Sequence, residues 1–387
     1  MTSTSAVAGD TPDRPVFRAG SLAVGAAILA VVLWLSQHVR SAELHWIYLA
    51  AMAFVITFFG VPVVHRFAVW RGIVDVPDAR KVHRTPTPLL GGLAVFAGFA
   101  ATVLVNFSFS RPLKGVALGA AIVVAVGIAD DMFDIPAVVK LAGQVAAAVV
   151  ALAYGVHLLL VPYWIPGAAA VNALVTILWL LTVTNAIQFL DGMDGLAAGL
   201  GAIAAVFFSV AALQTGQPYL TFLSAALAGA CAGFLPYNFR PGGARIFLGD
   251  AGASFIGFTL AGLAVMGEWS SSSPIVALFT PLLILAVPLF DIAFVGVERV
   301  VSGKVATVRE WLAYTGKDHI HHRFEALGLT KAQSVLLIYF ITVTLGLSAI
   351  VLKDGAGREA AMILGQAVCV LAIIAILEGV GRGRLSR

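Results

Sequence analysis

The sequence predicts an all-α, polytopic integral membrane protein of about twelve transmembrane helices, and three observations predict it. The 387 residues are 60 % hydrophobic, with a mean hydropathy of +0.97. Only 11 % are charged, against about 25 % in an ordinary soluble chain, which is too little to coat a water-facing surface. The apolar residues also gather into runs of about 20, the length a helix needs where hydrocarbon cannot satisfy backbone polar groups. Outer-membrane strands would instead alternate strictly over about 10 residues. Two cysteines, Cys231 and Cys369, each in an apolar run, exclude a disulfide framework, and the composition excludes a disordered or collagen-like chain.

Taken in order, a tail over 1–19 carrying Arg14 and Arg18 precedes a first run at 20–37, whose length fits an anchor better than a signal peptide. Runs then follow near 46–68, 89–107, 113–130, 139–160, 171–190, 195–213, 219–236, 252–268, 274–297, 333–352 and 359–379. The membrane domain thus covers 20–380, with one large polar loop at 298–332 and a short tail at 381–387. With the N-terminus inside, 19 of the 24 Lys and Arg lie on inner segments and five on outer ones, so N-in/C-in is expected.

Carboxylates near a membrane are costly, and here they cluster at inner helix ends. Asp130, Asp131 and Asp134 sit in GIADDMFDIP, spaced to share one side of a helix, where bare carboxylates repel unless a cation such as Mg²⁺ neutralises them. Asn185, Gln188, Asp191 and Asp194 step by three through NAIQFLDGMDGLAAG, a polar edge ending an apolar helix. Asp250, in RIFLGDAGAS, suits either an N-cap or an anion- or metal-accepting turn. Asp291 is expected to pair with a base such as Arg299, and Glu378 to lie at the interface.

KDHIHHRFEALG supplies His319, His321, His322 and Arg323 in the large loop; without Cys partners a zinc site is disfavoured, and cations beside a pyrophosphate would stabilise a transferring phosphoryl group. RKVHRTPTPLLGG offers Arg80, Lys81, His83 and Arg84, which also serve positive-inside anchoring, and Gly91 and Gly92 permit close helix packing. Together these residues point to Mg²⁺-dependent phosphoryl transfer on a phosphorylated lipid, without a Walker loop. An ion-coupled transporter would place such groups near the membrane midplane in repeated halves, which this chain lacks.

At these motifs, in order from about 46 to 352, the chain resembles the polyprenyl-phosphate N-acetylhexosamine-1-phosphate transferases, relatives of phospho-MurNAc-pentapeptide transferase. The resemblance implies transfer of a HexNAc-1-phosphate from a UDP-sugar to polyprenyl phosphate at the cytoplasmic face of the inner membrane. UMP is released, Mg²⁺ is required (Mn²⁺ as a substitute), and a cell-envelope glycan is begun. It implies catalytic roles for Asp130, Asp131, Asp191 and Asp194, and metal binding by Asp194 and Asp250. Substrate binding falls to Lys81, Asn185, Gln188, His319, His321, His322 and Arg323. The HIHHR form resembles the UDP-GlcNAc branch, with UDP-GalNAc, a deoxy-HexNAc or UDP-MurNAc-pentapeptide as alternative donors. The implied partners are the two substrates and the membrane, with no nucleic acid, and relatives suggest a homodimer. Gln188 departs from the family's usual Asn, and the 20–37 helix precedes the usual eleven.

Overall fold

The computed structural model describes residues 30, 42–76, 86–106, 110–270, 274–305, 307, 310, 318–353 and 357–385. The predicted 20–37 helix, Asp78 and the Arg80–Arg84 segment with Lys81 lie outside the described residues. Within them the chain is all-α apart from one small ladder. Helix α1 (Ala42–Arg71) leads to β1 (Val74–Asp75), which pairs antiparallel with β2 (Thr87–Pro88), Val74 facing Pro88. There follow α2 (Gly91–Asn106), α3 (Arg111–Phe133), α4 (Ala137–Ala153), α5 (Ala168–Phe189), α6 (Leu196–Gln214), α7 (Pro218–Asn238) and α8 (Gly249–Met266). The chain ends with α9 (Pro274–Ile284), α10 (Ala286–Val301), the short α11 (Ile320–Ala326), α12 (Lys331–Leu352) and α13 (Arg358–Leu385).

Eight of these described helices are long and apolar enough to cross a membrane, and a ninth crossing arises if α9 and α10 count as one broken span. Each apolar run over the described residues holds a helix, but α2 and α4, at 16 and 17 residues, fall short of the span length, and two runs depart from the expected course. The run at 274–297 is not straight: α9 and α10 meet at an angle of 82°. Pro288 explains the break, because it has no N–H for the Ile284 carbonyl and its ring collides with that carbonyl in a continuous helix. The run at 139–160 is helical only to Ala153, where Gly155 N–H bonds Leu152 O (2.9 Å) and Val156 N–H bonds Ala151 O (3.1 Å), a Schellman turn. Beyond it the chain runs along α5, its backbone satisfied by buried side chains: Leu158 N–H to Thr176 Oγ1 (2.9 Å), Val161 N–H to Asn172 Oδ1 (2.9 Å). Irregular backbone at such a place is tolerated because its polar groups are answered by protein.

The core is organised around α8, the most enclosed of the spans, which packs on α2, α3, α5 and α6. Small residues let it do so. A Cβ on Gly92 would fall 2.0 Å from the Gly252 Cα, so α2 and α8 touch backbone to backbone, as the GG pair predicted. Large apolar side chains such as Leu104, Trp164 and Phe340 face outward, as a lipid-solvated exterior requires. α13 is the least enclosed span, resting on α11 and α12.

Candidate active site

The site lies where the C-terminal ends of α3 and α5 meet the N-terminal ends of α4, α6 and α8. Helix α3 stops because Asp134 adopts a left-handed conformation (φ 49°) as its C-cap and Pro136 follows two residues later. This separates the three acids expected on one side. Asp130 and Asp131 remain on the last turn and point inward, while Asp134 is exposed outside the helix.

Asp131 accepts backbone N–H bonds from Asp250 (2.8 Å) and Ala251 (3.3 Å), occupying the orphan donors at the start of α8. Gly249 makes this approach possible. Its φ is +74°, and any Cβ there would lie 2.6 Å from Asp131 Oδ2. Both readings offered for Asp250 thereby divide: Asp131 does the capping from another helix, and the Asp250 carboxylate turns into the site. Its Oδ2 takes the Lys140 ammonium at 2.5 Å, and the same ammonium reaches Asp130 Oδ2 at 2.9 Å. Its Oδ1 accepts from Gln188 Nε2 at 3.0 Å. Gln188 Oε1 accepts from Gln144 (2.7 Å), whose Oε1 accepts from Asn185 Nδ2 (2.8 Å).

The turn between α5 and α6 carries Asp191 and Asp194. It is fastened from two sides. The Gly195 N–H donates to Asn238 Oδ1 (2.6 Å) and its carbonyl accepts from Tyr339 Oη (2.5 Å). Asn238 also donates to the Ile246 carbonyl (3.0 Å), so it joins the DGMDG turn to the RIFLG segment. Asp194 Oδ2 accepts from the Ala244 N–H at 2.8 Å. Burial, then the charges of Asp250, Asp131 and Asp194, hold the Asp191 carboxyl well above its usual range. Carboxylates distant in sequence therefore act on one another here. Among the described residues no three acidic, His or Cys side chains surround a common point, and the cation between Asp130 and Asp250 is Lys140. The donor set is nonetheless all oxygen, as Mg²⁺ requires, and the suppressed ionisation of Asp191 is what a dication would relieve.

The histidine element packs alongside. His319 Nδ1 lies 2.7 Å from Asp291 Oδ2, and the Ile320 N–H donates to Asp291 Oδ1 at 2.7 Å. Asp291 thus pairs with His319; the expected partner, Arg299, instead grips Asp318 through two bonds of 2.8 and 2.7 Å. Burial alone would raise the Asp318 carboxyl, but Arg299 outweighs it and the net shift is downward. His321 reaches the DGMDG turn: a Cβ on Gly192 would be 2.5 Å from its Nε2. Among the described residues, both His321 ring nitrogens are buried without a hydrogen-bond partner. Burial, then His322 and His319, hold its pKa well below 6.5, which disfavours the charged ring.

Arg323 does not share this role. It is 1 % exposed, donates to the Asp318 carbonyl (2.6 Å) and pairs with Glu298 and, at 3.5 Å, Glu378. A guanidinium so paired ties the element to α10 and α13, while its Nη1 is buried with no hydrogen-bond partner among the described residues. Glu378, expected at the interface, is fully buried for the same reason. Lys140, Gln144 and Tyr339 complete the site from outside the motifs, and Asn238 opens the NFRPGGARIFLGDAGAS stretch. Lys140 counted only as a topological charge, and Gln144 is a lone carboxamide in an apolar run.

A family model, glycosyl transferase family 4, matches residues 113–268, which hold the acid pair, the DGMDG turn and the GDAGAS turn. The chain is 35 % identical over 339 residues to a probable undecaprenyl-phosphate N-acetylglucosaminyl 1-phosphate transferase of Bacillus subtilis (strain 168), covering 85 % of this chain and 92 % of that one. It is 33 % identical over 389 residues to the decaprenyl-phosphate N-acetylglucosaminephosphotransferase of Mycolicibacterium smegmatis, covering 91 % and 93 %. Similarity extends, at 29 % over 347 residues (80 % and 98 %), to a phospho-N-acetylmuramoyl-pentapeptide-transferase of Desulforudis audaxviator. With relatives matched over nearly their whole length and the family's segment forming the acid-lined site, the chain belongs to glycosyl transferase family 4, as a multi-pass membrane phosphotransferase.

Proposed function

We propose that this enzyme transfers GlcNAc-1-phosphate from UDP-GlcNAc to a polyprenyl phosphate at the cytoplasmic face of the membrane, releasing UMP. The observation that carries the reading is the convergence of Asp130, Asp131, Asp191, Asp194 and Asp250 with Lys140 at one end of the bundle. The named activities of the Bacillus and Mycolicibacterium relatives support the sugar and the acceptor class. The bias of 19 Lys and Arg to one side supports the cytoplasmic placement.

Asp194 and Asp250 would hold Mg²⁺, which when bound supplies positive charge to the donor pyrophosphate. Asp130, beside Lys140, holds the proton of the acceptor phosphate while one of that phosphate's oxygens attacks the β-phosphorus of the nucleotide sugar. The bond from that phosphorus to the bridging oxygen breaks, and UMP leaves with the electron pair. Lys140 balances the acids as the phosphate arrives. His319 and His322 stand at the donor side as hydrogen-bonding groups, with His321 as the buried neutral ring against the DGMDG turn.

The test is UMP release by purified protein in nanodiscs, given UDP-GlcNAc, undecaprenyl phosphate and Mg²⁺. Release should require all three and yield a GlcNAc-diphospholipid. Turnover with a different UDP-sugar and none with UDP-GlcNAc would reassign the donor; UMP release without lipid would overturn the acceptor. Radiolabelled UDP-GlcNAc alone should leave no label on the protein, and a trapped adduct would replace direct attack with a two-step route.

A further inference from the structure

Gln188 carries one methylene more than an asparagine would, and the structure gives that length a use. Its carboxamide spans two partners, accepting from Gln144 Nε2 at 2.7 Å and donating to Asp250 Oδ1 at 3.0 Å. Gln144 is 2 % exposed and accepts in turn from Asn185 Nδ2 at 2.8 Å. Asn185 Nδ2 also donates to the Leu181 carbonyl, again at 2.8 Å.

The direction of this chain is not arbitrary. A backbone carbonyl and a carboxylate can only accept, so the Leu181 carbonyl at one end and Asp250 at the other both demand the amide nitrogen side. Three carboxamides between them must therefore point the same way, each N–H₂ toward the next oxygen. If Gln144 lost its donor, nothing would hold the Gln188 oxygen on the far side. The Gln188 carboxamide, oriented then by Asp250 alone, could swing away and leave Oδ1 without its donor. Lys140 and Gln144 lie four residues apart, on one face of α4. Both Asp250 oxygens are thus governed from that face: Oδ2 by Lys140 directly and Oδ1 by Gln144 through Gln188.

We propose that Gln144 is a positioning residue for the transfer reaction, fixing the Gln188 amide so that it donates to Asp250 and holds that carboxylate in its working orientation. The proposal concerns catalysis and so rests on the reading given above for the site.

The experiment is a double-mutant cycle of Gln144→Met and Gln188→Met, followed by UMP release and by thermal unfolding of the purified protein. Gln144→Met should lower kcat about 10-fold while changing the donor KM less than about 2-fold. The double variant should be no slower than Gln188→Met alone, because each substitution breaks the same chain. Gln144→Glu, which still accepts from Asn185 but cannot donate when ionised, should show the same loss and carries the test if the Met variant does not fold. Unchanged kcat in a folded Gln144 variant, or independent and additive losses in the double, would overturn the proposal. Wild-type protein silent toward UDP-GlcNAc would instead defeat the substrate reading. In that case the thermal cycle decides the chain: non-additive midpoint shifts support it, and additive shifts refute it.

Discussion

Two acid-rich clusters sit at the same end of this bundle, and they behave differently. In the histidine region, Asp318 is matched by Arg299, Asp291 by His319, and Glu298 and Glu378 by Arg323. Every acid there has a named cationic or imidazole partner, and the partners are buried with it. Around α8, among the described residues, five carboxylates gather while the Lys140 ammonium pairs with two of them, Asp130 and Asp250, and the ionisation of Asp191 is opposed by burial and by three neighbours. Matched charge fastens elements together, whereas surplus charge of one sign is left to be answered by something that arrives. The acids of the candidate site belong with the second cluster, and the ion pairs of the first hold the histidine element beside them.

The sharpest way to break this contrast is to remove charge from each cluster in turn. Asp250→Asn should lower turnover about 10³-fold while leaving expression and melting close to wild type, since the surplus acid serves chemistry more than stability. Asp131→Asn should be equally inactive, and full turnover in either variant would remove that carboxylate from the mechanism. Arg323→Met should do the opposite. It strands Glu298 and Glu378 in a buried place and should destabilise by about 3–5 kcal/mol, read as a fall in the detergent melting midpoint. A normally stable Arg323→Met protein with a raised donor KM would make Arg323 a substrate ligand and dissolve the distinction.

Smaller effects sharpen the comparison. Gly249→Ala drives a methyl into Asp131 at a positive φ and should cost about 1–3 kcal/mol together with activity, because it displaces the acid that caps α8. His321 supplies a pH dependence. Its folded pKa lies well below 6.5, so the unfolded chain takes up a proton first and stability falls as pH drops through that value. Wild type should therefore lose up to about 1.4 kcal/mol per pH unit below it, and His321→Leu should show a shallower slope. Identical slopes would mean that the ring is not held neutral. Tyr339→Phe, which removes only the bond to the Gly195 carbonyl, should cost about 1 kcal/mol and be the mildest of the set.

Much of this was legible in the residues. Run length gave the helices because backbone satisfaction in lipid admits few alternatives, and motif order gave the family. The break at Leu285 was also signalled, since Pro288 lies inside an apolar run, but hydropathy alone does not weigh a missing N–H. Other features were not legible because they depend on partners far away in sequence. Nothing local to Arg323 says that Glu298 and Glu378 surround it, and nothing local to Lys140 separates an anchoring cation from one set between Asp130 and Asp250. The DDxxD spacing assumed one continuous helix, whereas the Ile135–Pro136 step ends α3 and removes Asp134 from the group.

If the acids gathered at the start of α8 receive a divalent cation, Mn²⁺ will bind there in the absence of substrate. Titrating Mn²⁺ into substrate-free protein and following the free ion by electron paramagnetic resonance tests it most directly. Wild type should bind one ion per chain, Asp250→Asn and Asp194→Asn should each weaken binding at least about 10-fold, and Arg323→Lys should leave it unchanged. Equal Mn²⁺ affinity in wild type and both aspartate variants would contradict the account.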